Sequence, residues 1–555
     1  MNNEIAKARV LCHPLAMGTL DEPLIEPSPM RPFHLPKPDG RVPATPKYVA
    51  KSEGRAPARP KYFRLFGALV ILLLASRDAN AQVQQAWVAR YNNGITNGTN
   101  QAVKMSLDSG GNIIVVGVSQ NTNNQLGYVT IKYAPNGTQL WAARFDSTNY
   151  PNATPSAFAL DSSNDVIVTG SALTVKYDTN GTQLWTAAYN GAAIGMDMSN
   201  NAVVTGFDSG FNTIKLGPTG SNLWSVSYIS PYGPAISQAL VVDGIGSAYV
   251  AGSDTYVCYS EGPSTICYNE ALLVKYDQNG NQLWETLSSS SSIPTVQVAG
   301  LALDLWTNIY VLSNPYLQPY STFRFNGDGI QTSSSFNPTA NGGSMAYGLA
   351  IDSMGNAIVT GYDGHYSANT PFPIGTYKIG TNGAYLWTNL YYSIVVSASV
   401  GTAVAVDSAN SAYVTGYSPG ISGTNNIVTI KYAANGNQLW LQSYNGLNAG
   451  NDAGNAIAVD NNGNVYVTGY ETLPGGGTGI VTIKYSPITI QRQTNGTVLI
   501  ETQGSPGESF DIQASSDLLN WLDLGTILAD TNGLMQFDDT NAPNFPARFY
   551  YTNPR

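Results

Sequence analysis

The sequence predicts an all-β chain: a β-propeller of eight four-stranded blades closed by an N-terminal strand, followed by a small β-sandwich-like module. Three observations lead there. A unit with four strand signals recurs eight times, and turn chemistry rather than helical periodicity separates its parts. Only 11% of the 555 residues are charged, against roughly 25% in an ordinary soluble domain, while 43% are hydrophobic. Such a chain can fill a core and is neither a polyelectrolyte nor a coiled coil.

The first 60 residues are Pro-rich and basic, without strand or helix period, and are expected to be disordered. Lys61 to Arg64, the apolar run Leu65 to Ala75 and Ala79-Asn80-Ala81 then follow the order of a secretory signal cleaved near Ala81. This predicts a secreted or cell-surface protein whose true translation start lies near Lys61. The 11-residue apolar run is shorter than the roughly 20 residues that span a bilayer, so the mature chain is expected to have no transmembrane anchor. Beyond Ala81 there are 14 bases against 29 acids, a net charge of −15. That balance offers nothing to a phosphate backbone and excludes nucleic acid as a partner. The expected domains are a leader over 1–81, a propeller over 82–486 and a C-terminal β module over 487–555.

Cleavage removes Cys12, His13 and His34 and leaves Cys258, Cys267 and His365. The two cysteines bracket Gly262-Pro263, and in an oxidising compartment they read as a disulfide across a loop or hairpin, with a free thiol as the alternative. They cannot close a four-ligand zinc shell with one distant histidine.

Each unit is justified in the same order. Its first strand ends in an aspartate, at Asp108, Asp161, Asp197, Asp243, Asp304, Asp352, Asp407 and Asp460, about 50 residues apart, the length of a propeller blade. Four residues earlier stands Ala or Gly in seven units (Ala157, Ala193, Ala239, Gly300, Gly348, Ala403, Ala456), as a crowded innermost strand requires. The third strand carries one cation: Lys132, Lys176, Lys215, Lys275, Arg324, Lys378, Lys431 and Lys484. Asn-Gly at Asn136, Asn180, Asn279, Asn326, Asn382 and Asn435 predicts type I′ turns into the fourth strand. That strand carries Trp141, Trp185, Trp224, Trp284, Trp387 or Trp440, with Phe336 expected in the Trp place of unit five. The orphan strand Trp87 to Tyr91 supplies what the last unit lacks, which would remove the sheet edge at the seam. Degeneracy of unit five leaves seven blades as the alternative count.

The pattern Ala-Val-Asp-x-x-Gly-Asn-x-Tyr-Val-Thr-Gly, followed by Thr-Ile-Lys-Tyr-x-x-Asn-Gly-x-Gln-Leu-Trp, resembles the bacterial β-propeller repeats called SBBP, found in exported proteins. The resemblance runs from about Trp87 to Tyr485 and implies the fold without implying an activity. Tyr177-Asp-Thr-Asn-Gly181-Thr-Gln-Leu-Trp185 is also similar to the docking motif of eight-bladed quinoprotein dehydrogenases, which bind pyrroloquinoline quinone and calcium. This chain lacks the adjacent cysteines common in those enzymes.

Residue chemistry marks no catalytic constellation. One acid and one base per unit read as a repeated structural clamp, with a cationic ring facing an anionic ligand as the alternative. The Asp-x-x-Gly-Asn turns lack the alternating carboxylates of a calcium loop. His365 sits in a loop beside Asp363 without a triad. No metal and no cofactor are therefore expected, and the ligand-binding residues stay open. After Pro487, Thr497–Thr502, Ser509–Ala514, Asn520–Leu524 and Ala547–Tyr551 alternate as strands of a separate module resembling those that end many exported bacterial proteins. The functional expectation is a monomeric binding scaffold for a polysaccharide or a protein, with a propeller enzyme, glycan hydrolase, lyase or quinoprotein, as the alternative.

Overall fold

The computed structural model describes residues 83–554 except 148, 207–210, 231–232, 234, 262–263, 289–295, 316–317, 338–342, 365–371, 396 and 518, and the backbone but not the side chains of 256–261, 264–268 and 553–554. The leader, its cleavage near Ala81 and His365 lie outside the described residues.

Eight antiparallel four-stranded sheets follow one another along the chain. Sheet 1 is Asn100–Leu107, Ile113–Gln120, Leu126–Tyr133 and Gln139–Phe145, in that spatial order. Sheets 2 to 7 repeat it over 155–187, 193–228, 236–287, 296–336, 345–391 and 400–444. Sheet 8 is Ala453–Val459, Val465–Thr472 and Thr478–Pro487, with Val83–Tyr91 from the other end of the described chain as its fourth strand. Unit five forms a complete sheet, so the count is eight rather than seven.

The first strand of each sheet packs on the first strands of its neighbours and is therefore the inner one. Apolar clusters fill the spaces between successive sheets. Ile114, Val116, Val166 and Val168 join sheets 1 and 2, while Trp87, Val115, Ile131 and Tyr466 join sheet 8 to sheet 1. A sheet covered on both faces buries its second strand completely, which is why Ile113–Val118 is an unbroken apolar run rather than an alternating one. Alternation survives on the outer strands, such as Asn222–Tyr228.

Seven of the eight inner strands carry a β-bulge just before the position four residues ahead of the aspartate, as between Ala102 and Lys104, or Gly401 and Ala403. The bulge turns one extra side chain toward the next sheet. Gln238 accepts from the Val298 amide at 2.7 Å, Thr402 donates to the Gly454 carbonyl, and Asn455 donates to the Ala102 carbonyl at 2.8 Å. In sheet 1 the small-residue position holds Lys104, which is exposed.

The turns into the fourth strands correct the type I′ expectation. Only glycine has positive φ there, at Gly137 (86°) and Gly181 (84°) for example, while Asn136 and Asn180 do not. Each turn is closed by a bond such as Gly137 N to Ala134 O, with a register shift between Lys132 and Tyr133. This is a four-residue turn ending in a glycine bulge. In sheet 5 the positive-φ residue is Gly329, not Gly327, so Asn326 opens the turn instead of preceding its glycine. The Trp position of sheet 5 is likewise Ser333, which faces Arg324 as Trp141 faces Lys132; Phe336 lies three residues on, opposite Ser321.

The C-terminal residues form two three-stranded sheets, Thr489–Arg492/Val498–Gln503/Leu534–Asp539 and Leu522–Leu528/Ser509–Ser515/Phe549–Pro554, around Ile500, Ile512 and Tyr550. Trp521 precedes its strand and packs its ring 6.0 Å from Tyr551. This sandwich meets the propeller at the seam: Gln84 donates to the Gln503 carbonyl (2.9 Å), Thr552 to Gln84 Oε1 (2.8 Å), and Lys484 to Gln503 Oε1 (2.6 Å).

Candidate functional site

The repeated acid performs the same task in every sheet. One oxygen of each aspartate accepts the amides two and four residues on, as Asp108 does from Gly110 (2.9 Å) and Asn112 (2.8 Å), and Asp460 from Asn462 and Asn464 (both 2.9 Å). It thus closes the turn from the inner to the second strand. The second oxygen meets the cation. Lys132, Lys176, Lys215 and Lys378 approach Asp108, Asp161, Asp197 and Asp352 at 2.9, 2.7, 2.7 and 2.8 Å. In these sheets the residue directly across from the lysine is Ile114, Ile167, Val203 or Ile358.

Sheets 4, 5, 7 and 8 place Tyr249, Tyr310, Tyr413 and Tyr466 there instead. The hydroxyls of Tyr249, Tyr413 and Tyr466 donate to the second oxygen of Asp243, Asp407 and Asp460, at 3.2, 2.8 and 3.1 Å, whereas that of Tyr310, 3.3 Å from Asp304, donates to the Gly355 carbonyl at 2.5 Å and accepts from Arg324 Nε at 2.8 Å. The cation moves over the ring, 4.8 Å from its centre for Lys275, 5.7 Å for Arg324, 4.8 Å for Lys431 and 5.4 Å for Lys484. Arg324 and Lys431 keep only long contacts with their acids, 3.8 and 3.7 Å.

The electrostatics follow this division. Burial opposes ionisation of Asp108, Asp197 and Asp352, but hydrogen bonds and the adjacent lysine outweigh it and hold all three below the ordinary carboxylate range. Burial likewise opposes the charge on Lys176, yet Asp161 and Asp165 raise its pKa. Over the tyrosine rings burial prevails: Lys431 is lowered, and Lys484 falls to about 8.

A second repeated device ties the sheets together. Trp141 Nε1 donates to Thr179 O (2.9 Å) and Trp185 Nε1 to Pro218 O (2.9 Å), each in the turn of the next sheet. The indole lies on the turn glycine; a Cβ on Gly181 would sit 2.7 Å from Trp141. The same carbonyl takes the lysine where Trp224 and Lys215 share Gln278 O, and Trp87 and Lys484 share Pro135 O. Asp178 to Trp185, the segment similar to the quinoprotein motif, is one copy of this latch. Sheet 8 has no such turn, because its fourth strand comes from the other end. At the opposite, loop end of sheet 8, Arg90 pairs with Glu471 (2.7 Å), which also accepts from the Tyr444 hydroxyl (2.7 Å).

The acids and cations therefore gather at one end of each sheet, paired directly in sheets 1, 2, 3 and 6 and with a tyrosine between them in sheets 4, 5, 7 and 8. What remains free lies at the opposite end of the sheets, where the second strands end and all the longer connections gather. There Tyr362, Tyr417 and Tyr470 occupy one repeat position in sheets 6, 7 and 8, facing Met345, Val400 and Ala453. Tyr347 projects from the inner-strand bulge of sheet 6, 44% exposed, with its ring 6.3 Å from Tyr362; Phe372, 38% exposed, lies 6.1 Å from Tyr362. Burial raises the pKa of Tyr347, Tyr362, Tyr417 and Tyr470; neighbouring phenols add to it for Tyr347, Tyr362 and Tyr470, and Asp452 for Tyr470 as well. The sequence pattern signalled this strip. Extending Val-Thr-Gly by one residue gives Tyr in three consecutive units, against Val118, Ser171, Phe207, Ser253 and Asn314 in the other five.

Cys258 and Cys267 face each other in the register of the long hairpin of sheet 4.

Fold and repeat define a β-propeller protein with eight sheets. A family model described as a β-propeller repeat, SBBP, matches residues 446–470, which hold the inner strand, the aspartate turn and most of the second strand of sheet 8. No curated protein matches the chain. Among solved structures, the chain is similar to a protein of unknown function from Dyadobacter fermentans (12% identity, 73% of this chain and 98% of that one, TM-score 0.37). It is similar to the Pan2 WD40 domain of Neurospora crassa (10% identity, 73% and 95%, TM-score 0.38). It is also similar to a pyrroloquinoline quinone-bound aldose sugar dehydrogenase of Streptomyces coelicolor (12% identity, 54% and 96%, TM-score 0.30).

Proposed function

We propose that the protein is an exported bacterial β-propeller that serves as a monomeric binding scaffold and engages a polysaccharide or a protein through the face that bears its long connections. The observation that carries this reading is the asymmetry of the two faces. At one end every connection is a short turn whose polar groups are spent on closing the sheet, as the aspartate turns show. At the other end the connections differ in length and composition from sheet to sheet, and it is differences between repeats that single out a ligand. The leader supports export, and in that compartment the opposed Cys258 and Cys267 are read as a disulfide stiffening the sheet 4 hairpin.

Arrays of purified polysaccharides and purified cell-surface proteins test the reading. Ile421→Glu with Leu447→Glu alters exposed side chains of the loop face, and Met198→Glu with Met354→Glu alters exposed ones of the turn face. Binding is expected to fall only for the loop-face pair. Loss confined to the turn-face pair, or chemical turnover of a bound glycan, would replace the scaffold reading.

A further inference from the structure

The tyrosine strip of sheets 6 to 8 gives the loop face a more specific role, one that rests on the scaffold function proposed for that face. Inner-strand bulges in sheets 4, 7 and 8 spend their extra side chain on a bond to the next inner strand, through Gln238, Thr402 and Asn455. Sheet 6 places Tyr347 in that slot, and it clasps no backbone of the next sheet among the described residues. Its ring packs instead on Tyr362, which also meets Phe372, and Tyr417 and Tyr470 hold the Tyr362 position in the next two sheets. A structural position has thus been given over to an exposed aromatic.

The chemistry of the strip narrows its ligand. The phenols of Tyr362, Tyr417 and Tyr470 donate to no group within the described residues, so each retains a hydrogen-bonding tip beside an apolar ring face. Sugar rings match that pairing, with C–H faces to lay on an aromatic ring and hydroxyls at the rim. The charged groups next to the strip in the chain or packed beside it are the buried acids Asp363, Asp452 and Glu471, and the one cation there, Arg90, is held by Glu471. Lys104, the one cation on the eight inner strands, stands in sheet 1, one sheet beyond Tyr470 and three from Tyr347. With Arg90 already paired to Glu471, an anionic polymer would meet more acid than base along the strip. A row across three sheets also favours a linear ligand over a compact one.

We propose that this strip binds one strand of an uncharged polysaccharide, its sugar rings stacked on Tyr347, Tyr417 and Phe372 and its hydroxyls bonded to the phenols of Tyr362, Tyr417 and Tyr470.

Affinity electrophoresis of the protein in gels containing galactomannan, xyloglucan, mixed-linkage β-glucan, alginate or polygalacturonate tests it. At least one neutral polymer retards the protein, and neither anionic polymer does. Tyr347→Ala with Tyr417→Ala weakens binding about tenfold or more, while the triple Phe variant at 362, 417 and 470 weakens it by about threefold, because stacking survives the loss of the hydroxyls. The Phe variants keep every ring and control for misfolding of the Ala pair. Retardation by a neutral polymer that the Ala pair leaves unchanged would overturn the strip while leaving the scaffold reading standing. Retardation by anionic polymers alone, or by none of the five, would also overturn it. So would a purified protein ligand that the Ala pair abolishes, although that ligand would uphold the scaffold.

Discussion

Sheets 1, 2, 3 and 6 and sheets 4, 5, 7 and 8 carry the same acid and one cation each, lysine in all but sheet 5 with its Arg324, and the two sets differ in the residue that faces the cation across the strands. Where it is Ile or Val, the lysine reaches the carboxylate at 2.7 to 2.9 Å. Where it is Tyr, the hydroxyl lies against the carboxylate oxygen, donating to it in sheets 4, 7 and 8, and the cation rests on the ring, 4.8 to 5.7 Å from its centre. A buried charge needs a partner in either arrangement, and an ion pair and a ring quadrupole are alternative partners. The same repeat therefore tolerates two solutions without change of backbone. The solutions differ in their response to mutation and to pH.

The largest difference is expected on removing the cation. Lys176→Met leaves Asp161 buried with its second oxygen stripped of its ammonium, at a cost of about 3 kcal/mol. Lys431→Met leaves Asp407 still accepting from the Tyr413 hydroxyl at 2.8 Å, and costs about 1 kcal/mol. Urea unfolding of the two variants measures both. Equal losses would show that the facing residue does not set the role of the cation.

A middle-sized effect should appear with pH. The folded pKa of Lys484, about 8, lies below its unfolded value, so between pH 8 and roughly 10.5 the unfolded state holds the extra proton. Stability therefore rises with pH through that window, by about 2 kcal/mol from this group between pH 7.5 and 9.5. Buried tyrosines act in the opposite direction, because their folded pKa values are raised and their contribution is lost above pH 10. The comparison belongs below that point. Lys484→Met should flatten the rise, and an unfolding profile as steep as that of the parent would refute the assignment.

Much of this architecture was legible before any coordinates. The eight aspartates, the cations and the orphan strand ending at Tyr91 specify eight sheets and the pairing of Val83–Tyr91 with Thr478–Pro487. Repetition made this possible, since a residue kept in every unit marks a contact made in every unit. Features fixed by backbone conformation were harder to read. Asn-Gly suggested a turn with two positive φ angles, but a bulge between Lys132 and Tyr133 needs only the glycine. Inner-strand bulges leave no residue signature, because Gln238, Ala299, Tyr347 and Thr402 share no chemistry. Ser333 hid the latch position of sheet 5, since a serine there does not announce itself as a Trp replacement; it donates to the Thr381 carbonyl instead. The tyrosine strip lay one residue beyond the pattern, where the repeats cease to agree.

The smallest effect isolates the hydroxyl itself. Tyr413→Phe keeps the ring beneath Lys431 and removes only the donor to Asp407, so the core stays filled and no cavity opens. The buried carboxylate loses one charge-assisted hydrogen bond, worth about 1 to 1.5 kcal/mol. Part of that loss should be recovered as Lys431, now 3.7 Å from Asp407, closes toward the arrangement of sheets 1, 2, 3 and 6. The closure has its own readout. Burial now lowers the Lys431 pKa, and a direct pair would raise it as Asp161 and Asp165 do for Lys176. Acetylation of Lys431 at pH 9, followed by mass spectrometry, should therefore slow in the variant relative to Lys176 in the same molecule. If stability falls by the full hydrogen bond and the acetylation rate stays unchanged, the tyrosine hydroxyl is not what keeps the lysine from its aspartate, and the two kinds of sheet differ for a reason other than the facing residue.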